Sequence, residues 1–302
     1  MIITEKKSKL IAFMVYAVFA VILVMDHQRV LSGVREGLFM CARYIVPSLF
    51  MMSVVCCILI SSPYSENLFT NAMSRAFGLG EKCGSLVFFG LISGFPSGAL
   101  CAWEKYEKGA ISLADCEKTV YFTNNAGLAF IVGTVGALMG DHKFAVVLWI
   151  SQTLASLTLA NLFRSKKAVG AHEKILIGQQ ITLVEAIKKS ATAMMTVCAF
   201  VCFFTAIRLI LTDLLGNFIR NEAHLGFIIS FIEIGNAVNY AAKLTSHAKA
   251  LCSFAVGFGG LSAILQSVAV CPCVKISKYV VSRIMMGLLC AGYAYLISVF
   301  IK

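Results

Sequence analysis

The stretch Gly90-Leu91-Ile92-Ser93-Gly94-Phe95-Pro96-Ser97-Gly98-Ala99 decides how this chain is read. It interrupts an apolar run from Ser85 to Trp103 near its middle. Pro96 has no N–H and its ring clashes with the preceding turn, while Gly94 and Gly98 tolerate backbone angles closed to other residues. In water such a break is an ordinary loop. In a bilayer, freed backbone groups persist only where protein or a water-filled cavity satisfies them. The break at Ser93, Gly94, Pro96, Ser97 and Gly98 is therefore a candidate binding element, if the chain lies in a membrane.

Composition says that it does. Of 302 residues, 59% are hydrophobic and only 14% are charged, and the mean hydropathy is +0.84. Soluble domains are about half apolar and a quarter charged. The excess predicts an all-α polytopic membrane protein with the lipid bilayer as its first partner. The formal charge of +11 does not point to nucleic acid, because the bases form no recognisable binding motif. Lys6, Lys7 and Lys9 precede the first apolar run, and Arg164, Lys166, Lys167, Lys174, Lys188 and Lys189 crowd one connector. By the positive-inside rule, the protein is integral to the cell membrane with its N-terminus and this connector in the cytoplasm.

Taken in order, the chain divides into a tail with a first span (1–29), a first half (30–163), the basic connector (164–189) and a second half (190–302). Leu10 to Met25 is a short, uncleaved first span. Val30 to Met40 carries Arg35 and Glu36 and reads as an interfacial segment. Cys41 to Ser62 is broken by Pro47-Ser48 and reads either as one kinked span or as a re-entrant hairpin. The run from Thr119 to Met139 is apolar except for Thr123, Asn124 and Asn125. In the second half, Leu225 to Val238 is interrupted by Glu233, Gly235 and Asn236, and Ala250 to Val270 by Gly257 to Ser262 and by Gln266. Plain run, broken run, second broken run and plain closing run occur in that order in both halves. Interrupted segments at corresponding positions of two repeats are the best sequence pointer to a transporter-type site. One re-entrant segment per half would leave three crossings, and the halves would then be inverted.

Polar residues within these runs are the candidate site. Glu233 is an acid in an apolar run, which costs several kcal/mol by insertion measurements and marks a cavity or a partner. It suits a coupling proton, a cation or a hydroxylated ligand; the alternative is a structural ion pair with Arg43 or Arg208. Asn124, Asn125, Asn236 and Gln266 supply donors and acceptors suited to a small polar solute; the alternative is interhelical hydrogen bonding. Gly260 and Ser262 complete the set. No catalytic motif occurs, so an enzyme is not expected. Most of the 12 cysteines sit in apolar segments as small hydrophobes. Cys271-Pro272-Cys273 is the one close pair, without the further ligands a metal needs. Neither metal nor cofactor is expected.

Several of these motifs resemble the YlbJ family of sporulation integral membrane proteins of endospore-forming Firmicutes. Pro47-Ser48-Leu49-Phe50, Ser93 to Ala99, Glu107-Lys108-Gly109, Phe122 to Ala126, and Gly259 to Ser262 followed by Gln266 come in that family's order. The chain departs from the family pattern at Met51 and at Ala263-Ile264. The resemblance implies kinship with the nucleoside recognition (Gate) domain of concentrative nucleoside transporters and ferrous-iron transporters. It further implies an inverted repeat and a role in spore formation at the cortex stage. Two functions follow as expectations. One is a transporter-like protein binding or moving a small polar solute; the other is a non-transporting scaffold for sporulation membrane proteins.

Overall fold

A computed structural model describes residues 2–163, 180–216 and 218–300, and among these there is no strand. The basic connector therefore lies largely outside the described residues. The helices are α1 (Ile2–Met25), α2 (His27–Ser61), α3 (Pro63–Ala76), α4 (Gly84–Ser93), α5 (Ser97–Glu107), α6 (Leu113–Thr123) and α7 (Phe130–Met139). They continue as α8 (His142–Leu162), α9 (Leu183–Gly216), α10 (Glu222–Ile232), α11 (Ile234–Ala241), α12 (Ala248–Phe258), α13 (Gly260–Val270) and α14 (Ile276–Phe300). Among the described residues, five stretches are long and apolar enough to cross a bilayer: α2, α8, α9, α12 with α13, and α14. The chain is an integral, polytopic membrane protein.

One expectation changes here, and one open alternative closes. Val30 to Met40 does not lie apart in the interface, because α2 is one helix of 35 residues from His27 to Ser61, about 50 Å long. Pro47-Ser48 is likewise no hairpin tip. The turn before the proline widens to π geometry over Cys41–Ile45, which relieves the ring clash without ending the helix. Thr134, in a second π segment (Phe130–Val135), donates to the Tyr44 carbonyl at 3.3 Å. A side chain of one loosened helix thus satisfies the backbone of the other. At the connector's end, α9 begins at Leu183, so Lys188 and Lys189 belong to its first turns.

The long helices α2 and α9 pack antiparallel through small residues. A Cβ added at Gly33 would stand 2.5 Å from the Ala206 Cα, and one at Gly37 2.7 Å from the Cys202 Cα. Backbones this close depend on the absence of side chains, the usual device where lipid supplies no hydrophobic drive between helices. Gly33→Ala is expected to force the two helices apart and cost about 1–3 kcal/mol, as overpacking does. Gly292→Ala, where nothing lies within 4 Å, should leave the thermal midpoint in detergent unchanged. Equal midpoints for the two variants would refute the close crossing.

Candidate functional site

Two helical hairpins bring their tips to the centre. Lys105 at the end of α5 donates to Ser85 at the start of α4 at 3.0 Å, so the two helices fold back on each other. Their tip is Gly94-Phe95-Pro96, with Gly94 at φ +80° and a cis peptide before Pro96. In the second hairpin, a Cβ on Gly226 of α10 would lie 2.8 Å from the Tyr240 ring of α11. Its tip is Glu233, whose extended backbone separates α10 from α11.

Each tip meets a broken helix of its own half. The Phe95 N–H donates to the Asn125 carbonyl at 2.9 Å, and Gly94 presses so closely on Gly127 that a Cβ would lie 2.3 Å from its nitrogen. In the second half, Glu233 meets Gly260, where a Cβ would stand 3.0 Å from the Glu233 Cα. Gly259 and Gly260 have φ +88° and +79°, angles that glycine alone adopts readily. Phe95 then crosses between the halves and sets its ring 2.9 Å from the position a Gly259 Cβ would take.

Arg283 of α14 holds these breaks together, and the sequence reading missed it. The side chain is fully buried. Nε donates to the Phe258 carbonyl at 3.0 Å and Nη2 to the Gly257 carbonyl. Nη1 donates to the Asn124 carbonyl at 3.3 Å and to the Asn125 Oδ1 at 2.7 Å. The guanidinium carbon also lies 5.1 Å from the centre of the Phe95 ring, within cation–π range. Among the described residues no carboxylate pairs with it. Its counter-charge comes from helix ends. Asn124 follows the last residue of α6 and Phe258 ends α12. Each C-terminus carries roughly −0.5 charge and open carbonyls, so two of them offset one guanidinium. An arginine only a few residues beyond Lys278, inside an apolar run, was the available signal.

Gln152 of α8, also missed, pairs its amide with the unwound backbone. Oε1 accepts from the Ala126 N–H at 3.3 Å and Nε2 donates to the Ala126 carbonyl at 2.9 Å. Gln152→Leu is expected to cost about 2 kcal/mol or more, since both backbone groups lose their partner in a buried setting. Gln152→Glu should be nearly as damaging, because a carboxylate cannot donate to the carbonyl. Thermal unfolding of the two variants in detergent measures this.

The predicted site residues fall into two groups. Glu233, Ser262 and Gln266 line a central cavity of ≈ 40 Å³, together with Phe95, Gly127, Phe130, Ile234 and apolar residues of α2 and α9. That volume accommodates one or a few waters. Gln266 Nε2 donates to Ser262 Oγ at 3.0 Å. Glu233 Oε2 accepts from the Asn236 N–H at 2.7 Å and from its Nδ2 at 2.9 Å, which caps α11. Neither expected base forms a direct ion pair with the acid among the described residues. Arg208 pairs with Glu36 at 2.6 Å, and Arg43 lies over the rings of Phe39 and Tyr44.

The asparagines instead stitch helices. Asn124 Nδ2 donates to Ser267 at 2.6 Å and to Tyr279 at 3.1 Å. Asn125 Nδ2 donates to Ser156 at 2.7 Å, and Asn236 Nδ2 also reaches Thr205 at 2.8 Å. Ser97 lies 3.2 Å from Ser53, while Gly98 packs on Asn124. The Oδ1 atoms of Asn124 and Asn236 and the Ser93 hydroxyl are buried without a hydrogen-bond partner.

Two larger recesses flank the centre. One of ≈ 660 Å³ lies between the starts of α10 and α12; Lys249 of α12 bonds Asp141, beside the start of α8, at 2.7 Å. The other, ≈ 510 Å³, is lined by Glu117, Lys118, Tyr121, Phe163 and Lys278. Phe163 follows the far end of α8, a helix of 21 residues, so the recesses open about 30 Å apart. Searches of protein families, curated proteins and solved structures give no match to this chain.

Proposed function

We propose that this protein is transporter-like and binds or moves a small polar solute at a centre shared by two inverted halves. The meeting of two hairpin tips and two helix breaks around one cavity, with the acid Glu233 on its wall, carries this reading. The order of elements supports inversion: α2, α4–α5, α6–α7, α8, then α9, α10–α11, α12–α13, α14. One hairpin opens toward the face where Glu104 bonds Lys189 at 2.7 Å, and the other toward the Asp141–Lys249 face. On the positive-inside reading the first of these is cytoplasmic. Glu233 serves as the coupling acid or cation ligand, and Gln266 and Ser262 orient the solute. The cavity of ≈ 40 Å³ is too small for a sugar or nucleoside, so a larger solute enters only when a hairpin tip withdraws. By its resemblance to the YlbJ family, the cellular setting is spore formation at the cortex stage.

Purified protein tests this through thermal stabilisation by nucleosides, sugars, peptides and dipicolinate-like anions, then uptake of any hit into vesicles. One solute class should both raise the midpoint and accumulate. The competing reading is a scaffold for sporulation membrane proteins, favoured by the commitment of three asparagines to helix–helix bonds. If no solute stabilises the protein, and a neutral linker in place of residues 164–179 abolishes partner capture, the scaffold reading stands instead.

A further inference from the structure

Three thiols meet where the sequence offered only two. Cys271 and Cys273 flank Pro272 in the turn between α13 and α14, with their sulfurs 3.3 Å apart. Cys116 of α6, 155 residues earlier, brings its Sγ to 3.8 Å from Cys271 and 3.7 Å from Cys273. This is the only group among the described residues in which three metal-type ligand atoms converge within 4.8 Å. Cys116 and Cys271 are fully buried and Cys273 is partly exposed, which leaves an entry path.

We propose that Cys116, Cys271 and Cys273 form a binding site for one soft d10 cation, Cu(I) or Zn(II). The dimensions fit. With metal–sulfur bonds of about 2.3 Å, three corners of a tetrahedron lie about 3.8 Å apart and those of a trigonal plane about 4.0 Å. The sulfurs already stand at 3.3–3.8 Å, so binding requires a spread of a few tenths of an ångström. An all-thiolate set selects soft ions over Mg²⁺ or Ca²⁺. Three sulfurs complete a trigonal Cu(I) site, whereas Zn(II) takes solvent as its fourth ligand through the open side at Cys273. Binding releases the three thiol protons to solvent. The centre then carries net charge −2 with Cu(I) or −1 with Zn(II), beside Lys275, which follows the turn and lies 3.9 Å from Glu117.

The position gives the site a consequence. Cys116 lies on the helix that runs into the Asn124–Asn125 break, and Cys271 closes the helix that leaves the Gly259–Gly260 break. A bound cation would clasp the outer ends of these two broken helices, one from each half.

The full chain in detergent, reduced and anaerobic, is titrated with Cu(I) against a chromophoric chelator, and with Zn(II) against a fluorescent one. One equivalent of one of these ions should bind, and X-ray absorption at that metal's edge should show three sulfurs near about 2.3 Å. Cys273→Ser, at the partly exposed position, should weaken binding by about 100-fold or more, since even outer-shell changes at metal sites cost 10–100-fold. A Cys252→Ser/Cys290→Ser control should bind as the natural sequence does. The proposal is overturned if the natural protein retains no more metal than the Cys116→Ser/Cys271→Ser/Cys273→Ser variant. Fewer than three sulfurs at the metal, or a Cys271–Cys273 disulfide in protein isolated anaerobically, overturns it too. The binding assay uses no transport substrate, so its outcome is separate from that of the transporter reading.

Discussion

Arg283→Met is expected to remove the folded protein rather than weaken it. The substitution keeps most of the apolar stem and deletes a guanidinium that serves four acceptors: the carbonyls of Asn124, Gly257 and Phe258 and the Oδ1 of Asn125. A buried acceptor left unpaired costs about 1–3 kcal/mol. Even with partial relaxation the loss exceeds about 4 kcal/mol, comparable to breaking a buried ion pair. Arg283→Lys retains a charge between the two helix ends but has no fork with which to reach both breaks. The order of monodisperse yield and thermal midpoint should be natural sequence, then Arg283→Lys, then Arg283→Met. An unchanged midpoint for the methionine variant would mean that the breaks hold themselves.

Glu233→Gln should behave in the opposite way, with normal folded protein and no uptake. Glu233 is 1% exposed, and the hydrogen bonds it accepts cap the start of α11. A glutamine carbonyl accepts in the same place, so the cap of α11 survives, and a cap is worth only about 0.5–2 kcal/mol in any case. What disappears is the ability to take up and release a proton, or to hold a cation by charge. Glu233→Ala would confound the two effects by deleting the cap as well. Uptake by the glutamine variant at the natural rate, in vesicles with and without a pH gradient, would remove Glu233 from the proposed mechanism.

The sequence made the broken segments legible because both devices are local. Glycine and proline interrupt a helix wherever they stand, and an acid in an apolar run is conspicuous without knowing its neighbours. Gly94, Glu233 and Gly260 were read in that way, and they do sit at the tips and breaks. The asparagines were legible as polar but not as to where they point. Whether an amide faces a cavity or the next helix depends on rotation about an axis that hydropathy does not set. Arg283, Gln152 and the third thiol Cys116 were illegible as a group for another reason. Each acts on a segment 25 to 159 residues away, and no local pattern specifies a partner at that distance. The widened turn before Pro47 likewise depended on Thr134 being close enough to occupy a carbonyl.

The dependence of the centre on α14 also sets a timetable for biogenesis. Arg283 comes 159 residues after Asn124, and ribosomes add about 5–20 residues per second. Roughly 8–30 s therefore pass between synthesis of the first break and synthesis of the residue that quiets its carbonyls. Through that interval the α6–α7 segment is a membrane helix with an open middle and no guanidinium to close it. Until then its partners are Phe95 and Gln152, which meet the Asn125 carbonyl and both Ala126 backbone groups. A chain truncated before α14 therefore carries both breaks but lacks the guanidinium that joins them.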